Sequence, residues 1–171
     1  MENTATNLLL KIVSGGQTGV DRGALEAAIV AGIPHGGWCP RGRFAEDGTI
    51  PPHYQLVECE SSAYQVRTER NVVDSDGTLI LYRSPLSAGT ALTLKFVRRH
   101  RRPHLMVNVD LPPHPDRIRA WFGEQRIRVL NVAGPRESNH PGIQEASTAL
   151  LLVVLTDAEK VPTGERGNDQ R

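Results

Sequence analysis

At 171 residues, 39% hydrophobic and 23% charged, the chain is long enough to bury a core without staples and has the composition of an ordinary soluble globular domain. Its formal net charge of +1 supplies no overall field toward nucleic acid or a membrane, and two cysteines, Cys39 and Cys59, do not make a disulfide framework. There is no signal-peptide h-region and no apolar run of about 18 residues, so a cytoplasmic location is the default expectation.

In chain order, residues 1–7 are polar and expected to be loose. Leu8 to Val13 reads as a short buried strand ended by Ser-Gly-Gly. Thr18 to Ala31 reads as a helix, with Val20, Leu25, Ala28 and Ile29 near one face and Gly32 as its stop. A long irregular stretch covers residues 32–55, with a brief strand around Ile33 to Trp38; connections of that length are usually functional or mobile. Gln55 to Glu58 is a further short strand, and Ser62 to Val73 a helix in which Ser62 and Gln65 have capping-box spacing.

The segment GTLILY, Gly77 to Tyr82, is a strand. The loop RSPLSAGT leads from it into a helix of about ten residues that ends at His100. Leu105 to Val109 and Arg126 to Val132 are strands, and Pro115 to Gln125 is the helix between them. The loop AGPRESNHPG precedes a last helix, Ile143 to Leu155, apolar nearly all round and suited to a core or a subunit interface. Residues 157–171 are expected to form a disordered polar tail, which leaves 8–156 as one domain. Strands alternating with helices imply an α/β fold with a mostly parallel sheet, and continuous apolar strands imply helices on both of its faces.

Three strand-to-helix junctions combine glycine with small hydroxyl residues: SGGQTG (14–19), SPLSAGT (84–90) and AGPRESNHPG (133–142). In a parallel sheet all three open on one edge, where helix N-termini offer free N–H groups to an anion. The candidate ligand-binding residues are therefore Ser14, Gly15, Gly16, Gln17 and Thr18; Ser87, Gly89 and Thr90; and Gly134, Pro135, Arg136, Glu137 and Ser138. None of the three is a GxxxxGK[ST] or GxGxxG loop. Gly16→Val is expected to crowd the anion.

Two roles fit Asp21. It can close a capping box with Thr18, or grip ring N–H and hydroxyl groups while Arg22 pairs with a phosphate. Arg41 and Arg43, two apart in the long loop, can clamp an anion or form a solvated rim. Cys39 beside them is either a plain half-buried thiol or, with its pKa lowered by the cations, a reactive one. Trp38 offers a flat face to a ring or packs in the core. Asp74 and Asp76 read as the end of a helix. The run RRHRRPH at 98–104 complements a helix C-terminus, and no aromatic residue interleaves it as nucleic-acid binding would favour. No residue is assigned a catalytic or metal-ligating role.

The ordered segments SGGQTGVDRGALEAA, HGGWCPRGRFAEDG, RTERN…DSDGTLIL, SAGTALT and NVAGPRES resemble the family known as the putative molybdenum carriers. That family is similar to the lysine-decarboxylase-like phosphoribohydrolases. The resemblance covers about residues 10–155. It implies a Rossmann-like three-layer fold, a homo-oligomer (dimer or tetramer), and binding of the molybdenum cofactor, a phosphorylated pyranopterin, or of molybdate or phosphate-type anions. Molybdenum enzymes or their insertion machinery are the implied partners, with no nucleic acid and no membrane.

The related hydrolases carry PGGxGTxxE with a catalytic Glu. Aligning Gly89-Thr90 on that motif puts Pro85 on its Pro, Leu86 and Ser87 on its two glycines, and Thr93 on the Glu. A threonine cannot act as that carboxylate, which favours holding a ligand over cleaving it. The alternatives are a nucleotide-binding sensor and a nucleoside-phosphate hydrolase that uses another carboxylate, such as Glu46 or Glu137.

Overall fold

The structure is a computed structural model and describes residues 9–156. In chain order its elements are β1 (Lys11–Val13), α1 (Val20–Val30), β2 (His35–Gly36), β3 (Trp38–Cys39), β4 (Phe44–Ala45), β5 (Gly48–Thr49), β6 (Val57–Glu58), α2 (Tyr64–Val73), β7 (Gly77–Tyr82), α3 (Ala88–Arg99), β8 (His104–Asn108), α4 (Pro115–Glu124), β9 (Val129–Ala133) and α5 (Ile143–Leu155). The strand at Gly77 to Tyr82 and the helix at Ile143 to Leu155 have the expected bounds. The expectations for Leu8, residues 1–7 and residues 157–171 lie outside the described residues.

Five strands form one parallel sheet in the order β2-β1-β9-β7-β8. The last strand in sequence is the middle strand in space. Numbered from β9, the order becomes 3-2-1-4-5, that of a doubly wound dinucleotide-type sheet. The fold is Rossmann-like, with its leading βα unit placed at the carboxyl end of the chain.

Alternation along β7 and β9 explains the layers. Leu79, Leu81, Leu130 and Val132 point to one face, where they pack with Val20, Ala24 and Ala28 of α1, Ile118 and Phe122 of α4, and Leu151 and Val154 of α5. Each fully buried Val, Leu or Ile among them contributes about 1.5–3 kcal/mol. On the opposite side α2 and α3 pack together through Val72, Phe96 and Val97.

The 32–55 stretch, together with β6, is a compact annex rather than an irregular loop. In it β3 pairs with β6 and β4 with β5, and Cys39, Ile50 and Tyr54 are buried with Leu25 of α1. Leu25 therefore faces the annex while the rest of the α1 stripe faces the sheet. Ile29, expected on the buried face, is 41% exposed. The Ser62 capping box does not form: α2 starts one residue after Ala63, with no side-chain cap.

Candidate functional site

The carboxyl ends of β1, β9 and β7 lie side by side, and a cavity of ≈ 320 Å³ opens beyond them. It lies where the connections diverge to opposite sides of the sheet, the place where α/β sheets bind ligands. Its wall draws on Gln17 and Asp21 from the first junction, Ser87 and Gly89 from the second, and Gly134, Pro135, Arg136 and Ser138 from the third. Tyr64, Arg67 and Thr68 of α2, Leu92 and Thr93 of α3, and Asn139 complete it.

The three helix N-termini at this edge are not equivalent. Four successive amides at the turn before α1, from Gln17 to Val20, are paired within the protein. The Gln17 amide donates to Asp21, Thr18 N to Gln17 Oε1, Gly19 N to Gln144 Oε1 and Val20 N to Pro135 O. Gly19, not Thr18, is the N-cap residue, so the Thr18–Asp21 capping box does not form. Glu137 closes α5 by accepting from the Gly142 and Gln144 amides. At α3, Ser87 Oγ takes the Thr90 amide at 3.2 Å. The preceding amides, on Ala88 and Gly89, are on residues lining the cavity and find no acceptor among the described residues. This junction keeps donors available to an anion on residues that line the cavity.

The remaining candidates have structural partners. Ser14 Oγ donates to Val132 O at 2.7 Å and pins β1 to β9. Arg22 is 7% exposed, forks onto Asp47 and donates through Nε to Gly16 O, so its guanidinium is committed to the annex. Arg43 donates to the carbonyls of Ile50, Pro51, Tyr54 and Leu56, and holds the annex together from inside. Arg41 is exposed and does not line the cavity. Thr18 Oγ1 donates to Glu46 and accepts from the Glu137 amide. A Cβ on Gly16, at φ +80°, would stand 2.5 Å from Leu56 Cδ1 and 3.0 Å from Ile50 Cδ1. The crowding expected of Gly16→Val is thus against an apolar cluster and not against an anion.

Cys39 is fully buried, and burial pushes its thiol pKa up against the opposing pull of Arg43, so the lowered-pKa reading is reversed. Trp38 turns away from the cavity: its Nε1 donates to Asp74, and the Arg70 guanidinium lies 4.6 Å over its ring. Asp74 is the C-cap of α2, and Asp76 accepts from the Arg128 and Val129 amides.

Arg67, from the RTERN segment, was not among the candidates. It crosses from α2 to Asp21, Nη1 to Oδ2 at 3.2 Å. A Cβ on Gly15 would sit 2.0 Å from that nitrogen, so this glycine admits the guanidinium. Asp21 is 3% exposed; burial raises its pKa and Arg67 opposes the rise. Tyr64 lies between two cations, 5.9 Å from Arg67 and 5.5 Å from Arg136. Sequence spacing signals neither residue, because both reach the site only through the packing of α2 on the first junction. Among the described residues, the buried donors Gln17 Nε2 and Arg67 Nε of the cavity lining have no partner. Each such group costs about 1–3 kcal/mol when left unpaired.

Residues 12–155 match the model of the circularly permutated YpsA SLOG family. The chain belongs to that family. A circular permutation agrees with the sheet of this chain, whose leading strand comes last in sequence. The family fold is also that of a crystal structure at 1.45 Å resolution from Syntrophus aciditrophicus SB, of a protein named "Putative molybdenum carrier protein". It is 46% identical, has a TM-score of 0.83, and the match covers 86% of this chain and 96% of that one. No curated protein matches the chain. Among the described residues no helix is long and apolar enough to cross a membrane, and no group of three or more His, Cys, Asp or Glu side chains could hold a metal ion.

Proposed function

We propose that the protein binds and carries the molybdenum cofactor, or a closely similar phosphorylated pterin, without reacting with it. The observation that carries this reading is the open first turn of α3 at the cavity. Two unfilled amides there, with Ser87 beside them and Arg136 on the same wall, suit a phosphate or the oxygens of a molybdate group. The molybdenum is cargo, held through its own oxygens. The similarity to a protein named as a molybdenum carrier points the same way.

The arrangement of carboxylates favours holding over hydrolysis. Thr93, where the hydrolases place a Glu, lines the cavity and donates its hydroxyl to Gly89 O at 3.2 Å. Glu46 is occupied by Thr18 and Ser138, and Glu137 by the start of α5. Asp21 is tied to Arg67. A general base needs a carboxylate free to reach the water it activates.

Self-association accompanies this reading. Ala146, Ala149 and Val153 of α5 line an apolar cleft together with Val107, Val109 and Leu111, and Leu111 and Val153 are 61% and 46% exposed. A second copy of the chain suits such a face.

Gly89→Asp tests the function. A Cβ at Gly89 meets nothing within 4 Å, and an acidic residue in the first turn suits the helix dipole, so the fold tolerates it. The added carboxylate repels an anion. Anaerobic calorimetry should show the cofactor binding to the native chain and at least tenfold more weakly to Gly89→Asp at an unchanged melting temperature. Cofactor affinity that ignores the substitution, or no binding to the native chain, rejects the proposal.

A further inference from the structure

Among the described residues, two side chains of the cavity lining, Gln17 and Arg67, each keep a buried donor without an acceptor, and their surroundings say what kind of acceptor they await. Gln17 is 5% exposed, and its Oε1 accepts from the Thr18 and Glu46 amides at 3.0 and 2.9 Å. Those two bonds fix the orientation of the side-chain amide, because turning it over would set its NH2 against two N–H groups. Nε2 is left as a buried donor with no partner. Arg67 Nε is a second. The two residues are neighbours, since the same Asp21 oxygen accepts from the Gln17 backbone amide at 3.2 Å and forms an ion pair with Arg67 Nη1 at 3.2 Å.

Charge separates the possible acceptors. The Arg67 guanidinium is already matched by Asp21, so an oxyanion placed here would meet the Asp21 carboxylate. A neutral carbonyl oxygen satisfies both donors without that repulsion. The open α3 amides supply an anion site from a different element of the same cavity. Beside a carbonyl held by Gln17 and Arg67, Asp21 is placed to accept from a ring N–H next to it.

Resting on the reading that this cavity holds a phosphorylated ring, we propose that Gln17, Arg67 and Asp21 read the ring's edge and set its specificity. Gln17 Nε2 and Arg67 Nε donate to an exocyclic oxo group, Asp21 accepts from the adjacent ring N–H, and the anionic tail runs to the first turn of α3. The site selects a lactam edge, as in pterins and guanine. It rejects an adenine-type edge, which presents an amino group where the oxygen is required.

Calorimetry on the full chain with guanosine, inosine and adenosine 5′-monophosphates isolates the edge from the tail. The guanine and hypoxanthine nucleotides should bind at least about tenfold tighter than the adenine one, because a site built to donate two hydrogen bonds rejects a ligand that cannot accept them. Gln17→Glu keeps the acceptor for Thr18 N and Glu46 N and replaces the unpaired donor by an acceptor. It should abolish or reverse the preference. Neopterin against guanosine then names the source of the ring, whichever binds tighter. Equal affinity for the three nucleotides, binding of none of them, or a preference unchanged in a folded Gln17→Glu chain overturns the inference; if that variant fails to fold, the native ratio decides. Any of these results with the molybdenum cofactor still bound leaves the carrier reading standing. Selective lactam binding with no cofactor binding removes the carrier reading and keeps this one.

Discussion

Arg67 and Asp21 meet at 3.2 Å across the first junction, with the Asp21 side chain 4% and the Arg67 side chain 13% exposed. The pair joins α2 to the start of α1 and forms part of the cavity wall. It ties the annex side of the molecule to the sheet edge where the ligand is proposed to sit.

Removing one partner of a buried pair strands the other. Arg67→Leu should cost about 3–5 kcal/mol in urea unfolding, and Asp21→Asn with Arg67→Leu should recover much of it. The pH dependence has a definite sign. Burial raises the Asp21 pKa above 3.8, so the folded chain binds the proton more tightly than the unfolded one. That group's contribution to stability therefore falls as pH rises from 3.8 through its folded value. Titrated stability curves should show Asp21→Asn gaining on the native chain over that window.

Glu46 and Asp47 behave in the opposite sense. Burial works against the Glu46 carboxylate, but hydrogen bonds from Ser138 and Thr18 outweigh it and hold its pKa below 4.5. The Arg22 guanidinium holds Asp47 below 3.8. Their stabilisation is present above those values and is lost as pH falls through the lower, folded ones. Hydrogen exchange should show the β4–β5 hairpin loosening in acid before the central sheet does, and Glu46→Gln should flatten that response.

Gly16→Val is a test of folding and not of ligand crowding. A branched residue at φ +80°, driven against Leu56 and Ile50, should lose about 2–4 kcal/mol by denaturant melt. Ligand affinity of the fraction that folds should stay within about threefold of native. A stable variant with weakened binding would return the loop to the anion.

Arg43→Ala removes a side chain bonded to four carbonyls of the annex. The expected cost is about 2–3 kcal/mol, the scale of charged hydrogen bonds lost from a part-buried site. Proteolysis should begin within residues 40–57. Calorimetry should find ligand affinity intact.

Val153→Glu places a charge on the apolar flank of α5. Light scattering should show a larger native species that falls to the monomer mass in the variant, at unchanged helicity. An unchanged native mass equal to one chain removes the self-association proposal.

Periodicity and punctuation read the layered fold well. GTLILY and IQEASTALLLVVL have their bounds set by local chemistry: a continuous apolar run ended by a loop, and an apolar helix entered through Gly142 and left at Thr156. The three glycine-bearing junctions were legible for the same reason, because a strand that turns into a helix at a sheet edge needs them. The annex was not legible. Strands of two residues carry no period, and its integrity depends on Arg43 bonding to carbonyls up to 13 residues away. Family membership was also written in ordered local segments, and the parallel sheet followed from alternation.

Only the tertiary structure decided the fate of each donor. In sequence, Ser14 to Thr18, Ser87 to Thr90 and Gly134 to Ser138 are equivalent polar turns. In space, Asp21, Gln144 and Pro135 fill the Gln17, Gly19 and Val20 amides of the first, Glu137 fills those of Gly142 and Gln144 at the start of α5, and the α3 turn keeps its Ala88 and Gly89 amides for the cavity. Hydrogen bonds saturate, and the partners that saturate these lie up to 125 residues away in the chain. The order of residues thus determined where anion-binding turns could form, and long-range packing determined which of them stayed open.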